Sequence, residues 1–140
     1  MLACPPGEQH TLSLLVVNLF LRRQGWEVID LGANVPLDRL ESTVLNLRPQ
    51  LVIASAQHLL TAQTLQALAA ALARLKIPVG FGGSIFNRLP ALRHHIAGHF
   101  LAEGLSELTG AVQEVLHAPW PPPDAIETPR EYVSTLEHYR

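Results

Sequence analysis

Short apolar runs alternate with longer amphipathic segments along most of the chain. The run Leu51–Ala54 is apolar at every position, which is typical of a central parallel strand buried on both faces. Between about Ala62 and Leu75, leucines recur at helical spacing and predict an amphipathic helix. The same criteria predict further strands at Leu2–Cys4, Trp26–Leu31, Pro78–Phe81 and His99–Ala102.

Four more helices are predicted between and after these strands. Gly25 stands where a helix C-terminus is expected, and Pro36 and Pro49 flank a second helix. Alternation of strands and helices is typical of an α/β fold, so we expect a doubly wound, five-stranded parallel sheet of the Rossmann-like or flavodoxin-like kind. These four helices run from about Gln9 to Gln24, from Leu37 to Leu47, from about Arg88 to Ile96, and from Gly104 to near His117.

The alternation stops at Ala118, where a proline-rich segment begins. The run from Pro119 to Pro123 is typical of a stiff linker, and the remainder, Asp124–Arg140, is polar. We therefore expect a single domain over residues 1–117, followed by a linker and a polar tail over residues 118–140.

Composition and charge exclude several functional classes. Hydrophobic residues make up 48% of the chain and charged residues 16%, which is a globular composition. The formal net charge is −2 and no basic cluster exceeds pairs such as Arg22–Arg23, so we expect no direct binding of nucleic acid. No apolar run reaches the roughly 18 residues of a membrane span, and no basic leader precedes an apolar run. With Cys4 as the single cysteine, these features predict a cytoplasmic protein without a membrane partner.

The loops expected at the carboxyl ends of the strands, where α/β sheets bind ligands, lack the signatures of several common sites. A dinucleotide site needs G-x-G-x-x-G after the first strand, where this chain has only Gly7. The Gly-Lys-Ser/Thr of a P-loop does not occur, and residues 5–10 are not the Ser/Thr/Gly-rich loop of a flavodoxin. A phospho-acceptor receiver domain would end its third strand with Asp, and Ser55 stands there instead.

Those loops instead carry an acidic residue before a histidine, a serine-led segment and a pair of glycines. A neutral imidazole such as that of His10 is a usual nitrogen donor to metals like cobalt, and Glu8 can accept the other ring N–H. Ser55 offers a hydroxyl to a buried polar atom, and Gly82 and Gly83 let a ligand pass close to the backbone. The set suits a large, flat, metal-bearing ligand with a long polar tail.

This combination resembles the cobalamin-binding fold of methionine synthase, the cobalamin-dependent mutases and the corrinoid proteins. The motifs of that family are D-x-H-x-x-G, then S-x-L, then G-G, and they correspond here to segments that begin at Glu8, Ser55 and Gly82. His10 precedes Ser55 by 45 residues, and Ser55 precedes Gly82 by 27, which agrees with that fold. Three positions depart from the motifs, with Glu8 in place of Asp, Ser13 in place of Gly and Gln57 in place of Leu.

One branch of the family is the most similar. Pro5–His10 and Leu31–Leu37 resemble the light-responsive, MerR-type transcription regulators, which use adenosylcobalamin as chromophore. The resemblance implies that His10 is the lower axial ligand of cobalt and that Glu8 orients it. It also implies adenosylcobalamin as cofactor, with hydroxocobalamin or methylcobalamin as alternatives. The implied cofactor-binding residues are Glu8, Gln9, His10, Ser13, Leu14, Ser55, Gln57, Leu59, Thr61, Gly82, Gly83, Glu103 and Gly104.

The resemblance implies a sensory domain rather than an enzyme. Those regulators also carry a DNA-binding domain and a helical bundle over the upper corrin face, and we expect neither in a chain whose first strand starts at residue 2. We expect an excised piece or a stand-alone module that works with such domains or as a homo-oligomer. Two alternatives stay open: a corrinoid carrier domain of a cobalamin-dependent methyltransferase or mutase, and an α/β interaction domain that binds no cobalamin.

Other chemically active residues have an ordinary structural interpretation. Cys4 is expected to be a small core residue, and Trp26 and Trp120 are expected to serve packing. Among the remaining histidines, His58 lies in the loop of Ser55 and is the one that could contact a ligand. Surface or partly buried positions are expected for His94, His95, His99 and His117.

Overall fold

A parallel sheet forms the centre of the computed structural model, which describes residues 1–102 and 104–117. Four strands lie side by side in chain order within this part of the chain. All neighbouring pairs are parallel, so the predicted α/β class is confirmed. The strands are β1 (Leu2–Ala3), β2 (Val52–Ser55), β3 (Val79–Gly82) and β4 (His99–Phe100).

The predicted strand at Trp26–Leu31 is wrong as a regular element. This segment pairs with β1 through a single bridge between Leu2 and Asp30. Backbone hydrogen bonds of 2.8 Å from Leu2 N to the Ile29 oxygen and from Leu31 N to the Leu2 oxygen flank that bridge. Beyond the bridge, Cys4 N donates a 2.9 Å hydrogen bond to the oxygen of Gly32 and not to that of Leu31, so the pairing continues out of the regular register of a parallel ladder. The segment still lies outside β1, as the second strand does in flavodoxin-like sheets.

Helices connect the strands on both faces of the sheet. Their bounds agree with the predicted ones within a few residues, except for the fourth. That helix ends at Arg88 and is followed by a 3-10 turn over Pro90–His95, because proline has no N–H to continue an α-helix. A second 3-10 turn covers Leu105–Glu107. The helices are α1 (Leu12–Arg23), α2 (Leu37–Leu47), α3 (Leu59–Arg74), α4 (Ser84–Arg88) and α5 (Leu108–His117).

None of the helices in the described ranges is long and apolar enough to cross a membrane. The predictions for the linker with Trp120, for the polar tail and for Glu103 fall on residues outside those ranges.

Side chains of the strands alternate between two apolar clusters, as the two-residue period of a strand requires. Ala3, Val52 and Ala54 belong to the cluster that includes residues of α2, α3 and α4. Leu2 and Ile53 point the other way, into the cluster formed with α1 and α5. The sheet is therefore covered on both faces, which explains why its strands are apolar at nearly every position.

The neighbours β1 and β2 send their following helices to opposite faces of the sheet. The cluster memberships place α1 on one face and α3 on the other. The loops after β1 and β2 therefore diverge and open a crevice between them, which is the topological switch point of such a fold. The two loops are called here the β1 loop (residues 4–11) and the β2 loop (residues 56–58).

Gly83, at the end of β3, lies against the backbone of the β2 loop. Its φ is +122°, and a Cβ built there would lie 2.1 Å from the carbonyl oxygen of Ala56. Ala56 N also donates a 3.1 Å hydrogen bond to the oxygen of Gly82. Glycine at position 83 is thus a requirement of the fold, because the β2 loop could not approach β3 beside a larger residue.

We expect Gly83→Ala to lower the free energy of unfolding by about 3 kcal/mol, since it adds backbone strain and a steric overlap. Gly82→Ala is the matched control, because its Cβ would meet nothing closer than the Ala102 oxygen at 3.8 Å. Urea unfolding of both variants measures the difference. Equal stability of the two would contradict this account of the β2 loop.

Candidate functional site

A buried carboxylate lies at the switch point between the β1 and β2 loops. The side chain of Glu8 is only 1% exposed, although it is charged. Its Oε1 accepts a 2.6 Å hydrogen bond from the backbone N–H of Gln57 and a 2.8 Å hydrogen bond from the hydroxyl of Thr61. One carboxylate oxygen therefore ties the β1 loop to the β2 loop and to the first turn of α3.

The other oxygen of Glu8 holds the ring of His10. Oε2 lies 2.8 Å from Nδ1 of His10 and also accepts the backbone N–H of the same residue at 3.3 Å. A carboxylate only accepts hydrogen bonds, so Nδ1 of the neutral ring carries the proton and Nε2 keeps its lone pair. Because the His10 side chain is 62% exposed, that lone pair is available to a metal outside the protein surface.

Glu8 is held in its anionic form by these contacts. Burial alone would raise its pKa, but the hydrogen bonds from His10, Gln57 and Thr61 outweigh burial and keep the pKa below its usual value. A negative charge behind the imidazole favours metal coordination through the opposite nitrogen.

The β1 loop is also fixed from behind by the segment that follows α1. Gly7 N donates a 2.8 Å hydrogen bond to the side-chain oxygen of Asn34. Asn34 N in turn donates to the backbone oxygen of Glu8 at 2.8 Å. Asn34 has a φ of +47°, a left-handed conformation that asparagine tolerates better than most residues. The segments around Glu8 and Asn34 thus form one hydrogen-bonded unit.

Exposed groups surround His10 at this edge of the sheet. The ring of His58, from the β2 loop, meets the His10 ring edge to face with centroids 5.2 Å apart. Leu12 and Leu60 follow these two histidines by two residues each and are 72% and 71% exposed. Sequence reasoning missed both leucines, and the signal that could have found them is an apolar side chain just beyond a polar loop.

A cleft of about 440 Å³ opens beside the site, between the sheet and α1. Gly82 lies on its wall. A Cβ built on Gly82 would meet no heavy atom closer than the Ala102 oxygen, at 3.8 Å, so the space beside this residue is open. Phe81 belongs to the opposite apolar cluster, so Gly82 faces α1 by strand alternation. The lining that sequence reasoning missed includes Leu12, Val16, Val17, Ser84, Asn87, Leu101 and Ala102.

Three polar side chains meet within this cleft. The hydroxyls of Ser13 and Ser55 lie 3.2 Å apart, and the amide nitrogen of Gln57 lies 3.5 Å from each of them. The Gln57 amide oxygen accepts the backbone N–H of Ser84 at 3.0 Å. Ser55 and Gln57 belong to the second motif, and Ser13 is one of the departures from the first. These three side chains are therefore in contact, and together they offer hydroxyl and amide groups to a polar ligand.

The remaining predicted site residues occupy several environments. Leu14 lines the cleft but is 2% exposed and belongs to the apolar core. Thr61 is buried and contacts Glu8, whereas Leu59 packs against the core beneath α3. Gln9 is exposed in the β1 loop. Gly104 also lines the cleft, and Glu103 lies outside the described residues.

Cys4 confirms its predicted place in the core. It is fully buried at the end of β1. Burial, together with the charges of Glu8 and Asp30, raises the pKa of its thiol to about 11. The thiol therefore stays protonated at neutral pH and does not compete with His10 as a metal ligand.

Solved structures with this fold include cobalamin proteins. A cobalamin-binding protein from Desulfitobacterium hafniense superposes with a TM-score of 0.73 at 20% identity, covering 81% of this chain and 57% of that one. The methanol:cobalamin methyltransferase complex MtaBC from Methanosarcina barkeri superposes with a TM-score of 0.70 at 19% identity, covering 84% of this chain and 46% of that one. At such identities the likeness shows a common fold alone.

Two curated relatives are repressors from Myxococcus xanthus. The HTH-type transcriptional repressor CarH is 38% identical over 103 residues, which is 71% of this chain and 34% of that protein. The HTH-type transcriptional repressor CarA is 42% identical over 55 residues, which is 39% of this chain and 19% of that protein. The matched segments thus span about a third of the relatives' length or less.

A family profile matches nearly the whole described domain. Residues 1–112 match the family described as the B12 binding domain. The match includes the β1 loop, the β2 loop and the cleft, and it confirms the resemblance inferred from the three motifs. The chain belongs to the B12-binding domain family.

Proposed function

We propose that this B12-binding domain holds cobalamin through Nε2 of His10 as the lower axial ligand of cobalt. The observation that carries the proposal is the 2.8 Å contact between Oε2 of Glu8 and Nδ1 of His10. It fixes the tautomer and the direction of an exposed ring, and both are needed for an imidazole to bind a metal at its other nitrogen.

The surface around His10 fits a flat macrocycle. Leu12 and Leu60 are exposed close to the two histidines, and an apolar ring laid on them would remove their side chains from water. Each leucine would contribute about 1.5 to 3 kcal/mol if it were fully covered. When bound, an adenosylcobalamin supplies a labile cobalt–carbon bond, and that reactivity belongs to the cofactor.

The cleft beside α1 suits the nucleotide tail of the cofactor. Its lining begins two residues after His10, with Leu12 and Ser13. Ser13, Ser55 and Gln57 offer polar groups along the wall, and Gly82 leaves room for a ligand against the strand. Ligand pockets combine a mostly apolar lining with a few placed polar groups in this way.

The role that we favour is sensory rather than enzymatic, in a light-dependent transcription regulator that uses adenosylcobalamin. The similarity to CarH, a transcriptional repressor, over most of the described domain supports this role. This chain, with a net charge of −2, would receive the signal, and DNA recognition would belong to another domain or a partner chain.

The alternative is a corrinoid carrier domain of a methyltransferase or mutase. The likeness to MtaBC makes this a fold-compatible role. Both roles would use the same histidine and cleft of this chain, so they differ in what happens after cofactor binding.

Glu8→Gln is expected to weaken cobalamin binding by about 10- to 100-fold. The amide oxygen is needed by the N–H of Gln57, so the NH2 group would face Nδ1 of His10. A donor there favours the tautomer with its proton on Nε2, the atom that must bind cobalt. Titration with hydroxocobalamin, followed by visible absorbance, measures the affinity.

The matched variants for that titration are His10→Ala and His94→Ala. His10→Ala is expected to lose the absorbance change that imidazole coordination causes. His94 is exposed in the 3-10 turn before β4, so His94→Ala is expected to behave as the unmodified chain does. The assignment of His10 fails if the spectrum of the bound cofactor is the same in His10→Ala.

Gly82→Leu is expected to fill the cleft and to lower the affinity for cobalamin at least tenfold, without disturbing the fold. Affinity for cobinamide, which lacks the nucleotide tail, should change less than twofold. Gly110→Leu is the control, because Gly110 is exposed on α5 with no heavy atom within 4 Å of a built Cβ. Equal losses for cobalamin and cobinamide would show that the tail does not enter this cleft.

Illumination of the adenosylcobalamin complex tests the sensory role. We expect visible light to change the absorbance of the complex together with its oligomeric mass or the amide hydrogen exchange of the β1 and β2 loops. The hydroxocobalamin complex, which has no carbon ligand on cobalt, should not respond. A complex whose mass and exchange are the same in darkness and light is a carrier and not a sensor.

A further inference from the structure

Glu8, His10 and His58 form a cluster of three groups that can bind a metal. Only His10 would bind cobalt in the proposed cobalamin site. Each of the three groups offers one ligand atom, and the three atoms lie within 4.8 Å of one another. Two imidazole nitrogens and a carboxylate oxygen are a common donor set for zinc and for neighbouring divalent metals. The cluster draws on both loops, since His58 precedes α3 and the other two residues belong to the β1 loop.

We propose that these three residues bind a divalent transition-metal ion of the zinc class when cobalamin is absent, and that the ion competes with cobalamin for His10. Metal binding by the cofactor-free chain stands on the cluster alone. Only the competition rests on the proposed function.

The geometry of the cluster is near that of a zinc site. Zinc–ligand bonds of about 2.0 to 2.2 Å in a tetrahedron place neighbouring ligand atoms about 3.3 to 3.5 Å apart. Oε2 of Glu8 and Nδ1 of His10 are already 2.8 Å apart. His58 has to approach by up to about 1.5 Å, and its ring is exposed and meets the His10 ring only at an edge. The movement is a side-chain rotation at the surface.

Glu8 is suited to be the anionic member of the site. Its Oε1 stays bound to Gln57 and Thr61, so the carboxylate cannot turn away. Its Oε2 faces His10 and can accept a metal ion in place of the ring N–H. A rigid, buried carboxylate next to two imidazoles attracts a divalent cation more strongly than exposed side chains do, because it is less screened by solvent.

An ion in this cluster would weaken cobalt coordination whichever nitrogen of His10 it takes. Bound at Nε2, it occupies the cobalt ligand directly. Bound at Nδ1, it takes the lone pair of that nitrogen, so the single proton of the neutral ring moves to Nε2, which then has no lone pair to offer cobalt. Cobalamin would therefore have to displace the ion, and the availability of free metal would set the apparent affinity of the domain for its cofactor.

Zinc binding is tested on the full chain, freed of cofactor and treated with chelator. Zn²⁺ is titrated in competition with a chromophoric chelator, and we expect one ion per chain at the cluster. His58→Asn should lower the affinity for that ion at least tenfold. Asparagine is a preferred N-cap residue, so this variant keeps the start of α3 while it removes the imidazole. His94→Ala serves as the control and should bind as the unmodified chain does. No zinc binding, or equal binding by His58→Asn, overturns the site.

The competition is tested by titrating hydroxocobalamin with chelator present and again with free Zn²⁺ at about ten times its Kd for the unmodified chain. We expect zinc to lower the cobalamin affinity of the unmodified chain at least tenfold, and to change it less than twofold in His58→Asn. An equal zinc effect in both proteins, or none in either, overturns the competition. If cobalamin does not bind even with chelator present, the proposed function fails, while the zinc titration still decides the metal site by itself.

Discussion

The carboxylate of Glu8 is removed from water between the β1 loop and the first turn of α3. Taking a carboxylate out of water costs several kcal/mol, and hydrogen bonds must offset that cost. Gln57, Thr61 and His10 provide them, and each comes from a different place in the chain. The carboxylate therefore fixes the crevice at the switch point and the direction of the exposed histidine at the same time. Loss of any one donor would leave part of a buried charge without a hydrogen bond, which would destabilise both the site and the loops around it.

Adjacent glycines at the end of β3 do two different tasks. Gly83 admits the backbone of Ala56, which brings the β2 loop and its Gln57 N–H up to the Glu8 carboxylate. At Gly82, no protein atom lies within 3.8 Å of where a Cβ would be, so this part of the cleft wall carries no side chain. Farther along the same face, Gly80 is covered by the side chain of Leu101, where a Cβ would come within 2.9 Å. On this face of β3, the space beside Gly80 is thus filled by the Leu101 side chain, whereas the space beside Gly82 is open. The cleft begins between these two positions.

Local sequence signals were sufficient for most of the fold, because strand burial and helix ends leave local marks. They failed where tertiary pairing decides. The segment 26–31 has strand character, but its register against the chain after Leu2 shifts at Gly32, so it makes only one regular bridge with β1. The predicted fourth helix was placed across Pro90, although a proline is itself a local signal that an α-helix ends.

The same division holds for the site. Glu8 and His10 could be paired from the sequence because they share one loop and stand two residues apart. Thr61 was included by its place in the motif region, but its contact with Glu8 spans 53 residues and cannot be deduced from spacing. Leu14 follows Ser13 directly, yet helical geometry turns it into the core. The cleft lining from Val17 and Leu101 depends on how α1 packs over the sheet, for which the sequence has no local signal.

Glutamate at position 8 is explained by what its carboxylate has to reach. In the family pattern this position is an aspartate, whose side chain is shorter by one methylene, about 1.5 Å. Here the carboxylate spans from the His10 ring to the hydroxyl of Thr61, with both oxygens engaged. From the same backbone position, an aspartate could hold the ring only by giving up the contact with α3. The longer side chain therefore couples the histidine not only to its own loop but to the helix on the opposite face of the sheet. A displacement of the imidazole would therefore act on the start of α3 through one carboxylate.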